Sequence, residues 1–208
     1  MENILHTFEY GNGAYPSSSL TLDEAGNLYG TTENGGTGGI GTVYELSPSA
    51  SGWTESILHS FEGAGIPIAG VLFDPAGNLY GGTLLSPGNA FELSPNGRSW
   101  NYSSLYQFNG VGDYGGVAGN LLRDPSGNLY GGVGGGGPSG QGSIFELSPG
   151  IGGWTYTDLH DFAGGTDGSG PQSIVRDTSG NLYGSASYGG EYGDGLIYEI
   201  SQSSSPAK

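Results

Sequence analysis

Three histidines, four glutamates and four turn aspartates are the residues of this chain best suited to moving a proton or holding a metal. Each set recurs at one fixed place in a repeat. His6, His59 and His160 each stand two residues before a phenylalanine, and Tyr106 fills the same slot ahead of Phe108. A metal centre or triad needs its groups within about 3 Å of common atoms. A slot that returns once per repeat spreads them apart instead, so the histidines read as packing or edge residues. Glu45, Glu92, Glu146 and Glu199 recur in the same way between aromatic and aliphatic neighbours. A glycosidase pair must lie roughly 5 to 10 Å apart across one bond, so these read as strand-face glutamates. No Gly-x-Ser-x-Gly elbow is present to expose a serine nucleophile.

Asp23, Asp74, Asp124 and Asp177 each open a segment Asp-x-x-Gly-Asn. An aspartate here caps its own turn and the glycine takes the left-handed position, which explains the spacing without a metal. Calcium ligation is the alternative for these carboxylates. The run Gly189-Gly190-Glu191-Tyr192-Gly193-Asp194-Gly195 lacks the spacing of a calcium-binding nonapeptide.

The elements that position these residues follow from a period. Gly-Asn-Leu-Tyr-Gly occurs at Gly26, Gly77, Gly127 and Gly180, with intervals of 51, 50 and 53 residues. Each unit has short apolar runs separated by turn residues, the pattern of an all-β blade. In the first, strand A spans Ser18 to Asp23, B Asn27 to Thr32, C Thr42 to Ser47 and D Trp53 to Phe61. The chain opens on Ile4-Leu5-His6-Thr7-Phe8, which matches strand D (Ile57 to Phe61), and its last unit stops at Leu196 to Ile200, which matches strand C. The phase predicts a four-bladed β-propeller, one domain over residues 1–208, with units near 9–61, 62–108, 109–162 and 163–201. The N-terminal strand completes the last blade, so that no wide edge stays unpaired. A fragment of a larger ring and an open array are the competing architectures.

Residues that a blade requires recur in every unit, whereas ligand contacts need not. The D-to-A and B-to-C loops should emerge on one face, carrying Glu9, Tyr10, Tyr15, Glu33, Asn34, Asp113, Tyr114, Asp167, Tyr188, Glu191, Tyr192 and Asp194. Tyrosine rings offer flat apolar faces to sugars, and carboxylates or amides accept from hydroxyl groups. In strand A the slot Ser19, Gly70, Asn120 and Ser173 is small or polar throughout. These groups could line a central tunnel and hold water, Ca²⁺ or another cation; the alternative is that only small residues fit where four strands meet.

Composition narrows the partners. Only Arg98, Arg123, Arg176 and Lys208 oppose 20 acidic residues, giving a net charge of −16. No basic stripe is available for phosphates, which argues against nucleic acid and anionic membranes. The absence of cysteine excludes disulfides and thiol chemistry. No stretch is long and apolar enough for a membrane span, and the N-terminus reads as a repeat element rather than a signal peptide, as expected of an exported chain already processed.

The repeats resemble those of bacterial surface and secreted proteins in the choice-of-anchor GloVer family. The first unit carries that pattern as Gly30-Thr31-Thr32, Gly35-Gly36 and Gly41-Thr42-Val43-Tyr44-Glu45-Leu46-Ser47-Pro48. The second departs from it: Gly81 to Phe91 spans 10 positions against 14 from Gly30 to Tyr44, so its B-to-C loop is shorter. The Asp-x-x-Gly-Asn-Leu turn is also similar to blade hairpins of streptogramin lyase and related propellers, a likeness that carries no lyase chemistry. The GloVer resemblance implies an exported, secreted or cell-surface protein, and brings no catalytic residues or cofactor. The functional reading is a non-catalytic, lectin-like module for a glycan or small polar ligand. The alternatives are a structural or protein-interaction repeat, and a hydrolase or lyase with its site on the loop face.

Overall fold

The computed structural model describes residues 1–63, 65–85, 87–108 and 115–201. It is all-β, and every sheet is an antiparallel meander in chain order. The first sheet holds β1 (Thr21–Leu22), β2 (Leu28–Thr32), β3 (Thr42–Ser49) and β4 (Gly52–Ser60). The second holds β5 (Leu72–Phe73), β6 (Leu79–Gly82), β7 (Gly88–Asn96) and β8 (Ser99–Phe108). The third holds β9 (Leu122–Arg123), β10 (Leu129–Val133), β11 (Ser143–Gly150) and β12 (Gly153–Asp161). Among the described residues the fourth has three strands, β13 (Ser169–Arg176), β14 (Leu182–Tyr188) and β15 (Leu196–Ile200). Among the described residues no helix is long and apolar enough to cross a membrane.

The hairpins between strands A and B follow from turn chemistry. Gly26, Gly77, Gly127 and Gly180 have φ of 88°, 87°, 94° and 98°, a region closed to most side chains. Strand A is shorter than its apolar run suggests, with only Thr21 and Leu22 on the β1–β2 ladder. Nearer the axis the Thr31 N–H donates to Ser18 Oγ at 3.0 Å, so a side chain takes the place of a ladder carbonyl. The outer ladder slips one residue at one place in three sheets, between Val43 and Tyr44, Ala90 and Phe91, and Ile144 and Phe145. A bulge repeated in this way bends each outer strand alike.

The core lies between the sheets. Val43, Phe61, Val71 and Phe91 pack where the first sheet meets the second. Ala90, Phe108, Leu121 and Phe145 join the second to the third, and Ile144, Phe162, Ile174 and Leu182 the third to the fourth. The phenylalanine after each strand D drives its ring edge onto the strand C aromatic of the next sheet. Phe61 meets Phe91 at 5.3 Å and Phe162 meets Tyr198 at 5.2 Å. Such tilted pairs add to the area they bury.

The expected pairing of Ile4–Phe8 with Leu196–Ile200 is not among the ladders of the described residues, and residues 1–8 form no strand. The segment instead lies against the first sheet. Phe8 meets Tyr44 at 4.9 Å and His6 reaches Glu55 at 3.2 Å, the contacts a preceding strand D would make.

Candidate functional site

The turn aspartates are occupied by their own hairpins. Asp74 Oδ1 accepts from the backbone N–H of Ala76 and Asn78, while Oδ2 accepts from Asn78 Nδ2 at 3.0 Å and the Tyr80 hydroxyl at 3.2 Å. Asp23, Asp124 and Asp177 repeat the arrangement. Burial works to raise the carboxyls of Asp23, Asp74 and Asp177, but the donors from the following asparagine and its neighbours outweigh it and hold all three below the ordinary range. With both oxygens used in this way, these carboxylates serve as turn caps. Among the described residues no three His, Asp or Glu side chains gather in a geometry for a metal ion.

The strand glutamates sit beside these caps. Glu45 and Tyr29 are directly opposed on the β2–β3 ladder, and Ser47 Oγ donates to Glu45 at 2.7 Å. Glu146 and Ser148 repeat that bond at 2.8 Å. Tyr80, buried and flanked by Glu92 and Asp74, has its hydroxyl pushed up to about 12. Burial, then Asp74, raises Glu92 in turn.

The histidines stay apart, each against an aromatic ring or an acid. His59 stacks on Tyr102 at 4.3 Å with 11° between planes, and Tyr106 stacks on Tyr156 at 4.6 Å in the equivalent place. Burial lowers the His59 pKa, partly offset by Glu62. His160 lies 3.4 Å from Asp167.

Strand A brings its small residues together at the axis. Asn120 Nδ2 donates to Ser19 Oγ at 2.9 Å, and Asn120 Oδ1 accepts from the Gly70 N–H at 2.8 Å. A Cβ on Gly119 would lie 2.9 Å from the Ser173 nitrogen, so Ser173 also packs at this centre. The slot is therefore held together by direct contacts between the inner strands.

The predicted loop residues that are described fall into two groups, one on the first unit and one on the fourth. Tyr10 donates to the Gly39 carbonyl at 3.2 Å. Ala14 and Asn34 form a bridge, and the Glu33 N–H donates to the carbonyl of Tyr15, which has φ of 58°. Ser17 Oγ donates to Glu33 at 2.5 Å. Asp167 caps its own turn by accepting from the Ala163 N–H. Gly189 and Asp194 bridge the base of the fourth-sheet loop, leaving Tyr192 at its tip 84% exposed. Asp113 and Tyr114 lie outside the described residues.

Of the named loop residues that are described, only Tyr188 lines the central cavity of the loop face. This cavity has a volume of ≈ 360 Å³ and gathers Ile68 and Leu84 from the second unit, Ala118 from the third, and Gln172, Ser187 and Tyr188 from the fourth. Leu84 and Ser187 occupy the slot that Glu33 fills in the first unit. That equivalence is the sequence signal for them. A larger valley of ≈ 650 Å³ separates the first two sheets on the turn side, lined by Leu22, Tyr29, Phe73 and Trp100. Tyr29 and Phe73 meet there edge to face at 4.9 Å and 88°; Tyr29 is buried, while Phe73 and Trp100 are half-buried.

The sequence matches the family described as the Gloeobacter/Verrucomicrobia repeat over residues 56–207. Among curated proteins none matches this sequence. Two of the solved structures similar to this chain show its fold. One is a gluconolactonase from Xanthomonas campestris, 13% identical with a TM-score of 0.56, covering 88% of this chain and 61% of its own. The other is described as a putative gluconolactonase, 18% identical with a TM-score of 0.54, covering 88% and 62%. The chain thus spans about three fifths of the length of these structures, and the likeness shows a β-propeller-like fold alone.

Proposed function

We propose, from the premise that this chain belongs to the Gloeobacter/Verrucomicrobia repeat family, that it is a non-catalytic ligand-binding module of an exported bacterial protein. Its site is the central cavity of the loop face, and its ligand is a neutral polyol or carbohydrate.

One observation carries this reading. The cavity has apolar walls at Ile68, Leu84 and Ala118, an amide at Gln172, hydroxyls at Ser187 and Tyr188, and no acidic or basic side chain among the described residues. Apolar walls with a few converging neutral polar groups suit a sugar face and its hydroxyls. General acid–base chemistry calls most often on an imidazole or a carboxyl, and the described lining holds neither. The lactonase activity named for the two structural neighbours is therefore not carried over. The finer form of the fold, four blades around one axis, is supported by Asn120 reaching both Ser19 and Gly70.

A glycan array followed by calorimetry on its best binders tests the proposal. Binding to a neutral saccharide that weakens on Gln172→Ala, with melting unchanged, is the expected outcome. Tight binding that ignores Gln172→Ala and Tyr188→Ala places the site elsewhere.

A further inference from the structure

At each of the three junctions between sheets, one strand C residue is fully buried against the next sheet: Val43, Ala90 and Ile144. The equivalent residue of the fourth sheet, Ile197, is 79% exposed. The receiving sheets bury Val71, Leu121 and Ile174, whereas the equivalent residue of the first sheet, Leu20, is 54% exposed. Leu58 on β4 is buried, but its counterpart Leu5 is 40% exposed. A single chain therefore carries both halves of one more junction, with neither half covered.

The halves are complementary in strand pairing as well. Residues 4–8 already sit on the first sheet as a preceding strand D would, with Phe8 on Tyr44 as Phe61 is on Phe91. Among the described residues their own hydrogen-bonding edge has no ladder, and β15 is the last strand of its sheet. In the first sheet Val43 is opposite His59 and Tyr44 opposite Ile57. The same register would set Ile197 opposite His6 and Tyr198 opposite Ile4.

We infer that this face of the fourth sheet, Ile197 and the edge of β15, docks a second copy of this chain, which supplies its Ile4–Phe8 segment and the Leu20 side of its first sheet. The contact continues the pattern of three established junctions and completes the fourth sheet by strand addition. A second copy brings its half without rearrangement. Within one chain the two halves do not cover each other, Ile197 being 79% and Leu20 54% exposed, while Val43, Ala90 and Ile144 are fully buried in their junctions. The association is head to tail, so it closes into a ring or propagates according to the rotation between copies. A net charge of −16 on each copy opposes it, so added salt should strengthen it.

The chain has no cysteine, which allows an unambiguous test. His6→Cys and Ile197→Cys are made as separate chains carrying tags of different size, mixed, and oxidised; the double variant is oxidised alone. The expected product of the mixture is a disulfide-linked heterodimer, and light scattering of the untagged wild type should show assemblies that grow with salt. Ile197→Lys should weaken that assembly about tenfold or more while leaving the melting curve of the single chain in place. A mixture that stays monomeric while the double variant cross-links within one chain overturns the proposal in favour of a ring closed in cis. A wild type that is monomeric at every concentration, or an assembly indifferent to Ile197→Lys, overturns it too.

Discussion

Asn120 spans from the third inner strand to the first: its Nδ2 bonds Ser19 Oγ at 2.9 Å while its Oδ1 takes the Gly70 N–H at 2.8 Å. One amide thereby ties three units together. Asn120→Ala leaves the Gly70 N–H without this acceptor and should cost about 1–2 kcal/mol. Asn120→Asp keeps an acceptor for Gly70 and lets the Ser19 hydroxyl turn to donate, so it should cost less. Urea midpoints of the two variants check the order.

Acid should destabilise the protein in two separate steps. Burial lowers the His59 pKa below its ordinary 6.5, so the unfolded chain takes up the proton first and stability falls as pH drops through about 6.5. Asp23, Asp74 and Asp177 are held below 3.8, so their contribution is complete above that value and is lost as pH falls beneath it. His59→Tyr copies the Tyr106–Tyr156 stack of the neighbouring junction and should remove the first step alone. Melting temperature against pH, for both proteins, reads the two steps.

Gly77 isolates backbone strain from crowding. Its φ is 87°, yet nothing lies within 4 Å of where a Cβ would stand. Gly77→Val should therefore cost roughly 1–2 kcal/mol through conformation alone, and Gly77→Asn distinctly less, because asparagine visits the left-handed region. Equal losses in thermal melts would contradict the turn assignment.

The two tyrosines of the fourth-sheet loop should behave differently in binding. Tyr188 lines the cavity and is 66% exposed, offering a ring face, whereas Tyr192 stands at the loop tip. Losing a stacked ring removes about 0.5–1.5 kcal/mol, so Tyr188→Ala should weaken a bound saccharide by roughly tenfold or less. Tyr192→Ala should leave the dissociation constant unchanged. Titration of both variants with the best array ligand decides between cavity and loop tip.

The sequence by itself determined what is local and repeated. Four copies of Asp-x-x-Gly-Asn-Leu-Tyr-Gly specify a hairpin through bonds spanning at most six residues, from Asp23 to Tyr29 for instance, so strand phase, the glycine φ and the aspartate caps were all legible. The histidine slot lies on the outer strands, where His59 meets Tyr102 and His160 meets Asp167, whereas the equal slots of strand A do meet, Asn120 with Ser19 and Gly70. Tertiary structure decided what depends on the angle between sheets. That angle is set by how Val43, Phe61 and their counterparts pack across each junction, contacts between residues far apart in sequence that no repeat motif encodes. It carried Tyr188 to the central cavity and left Tyr192 outside, and it brought Asn120 to Ser19 across 101 positions of chain. It also left Ile197 and Leu20 uncovered, although the sequence of their units is that of a buried junction.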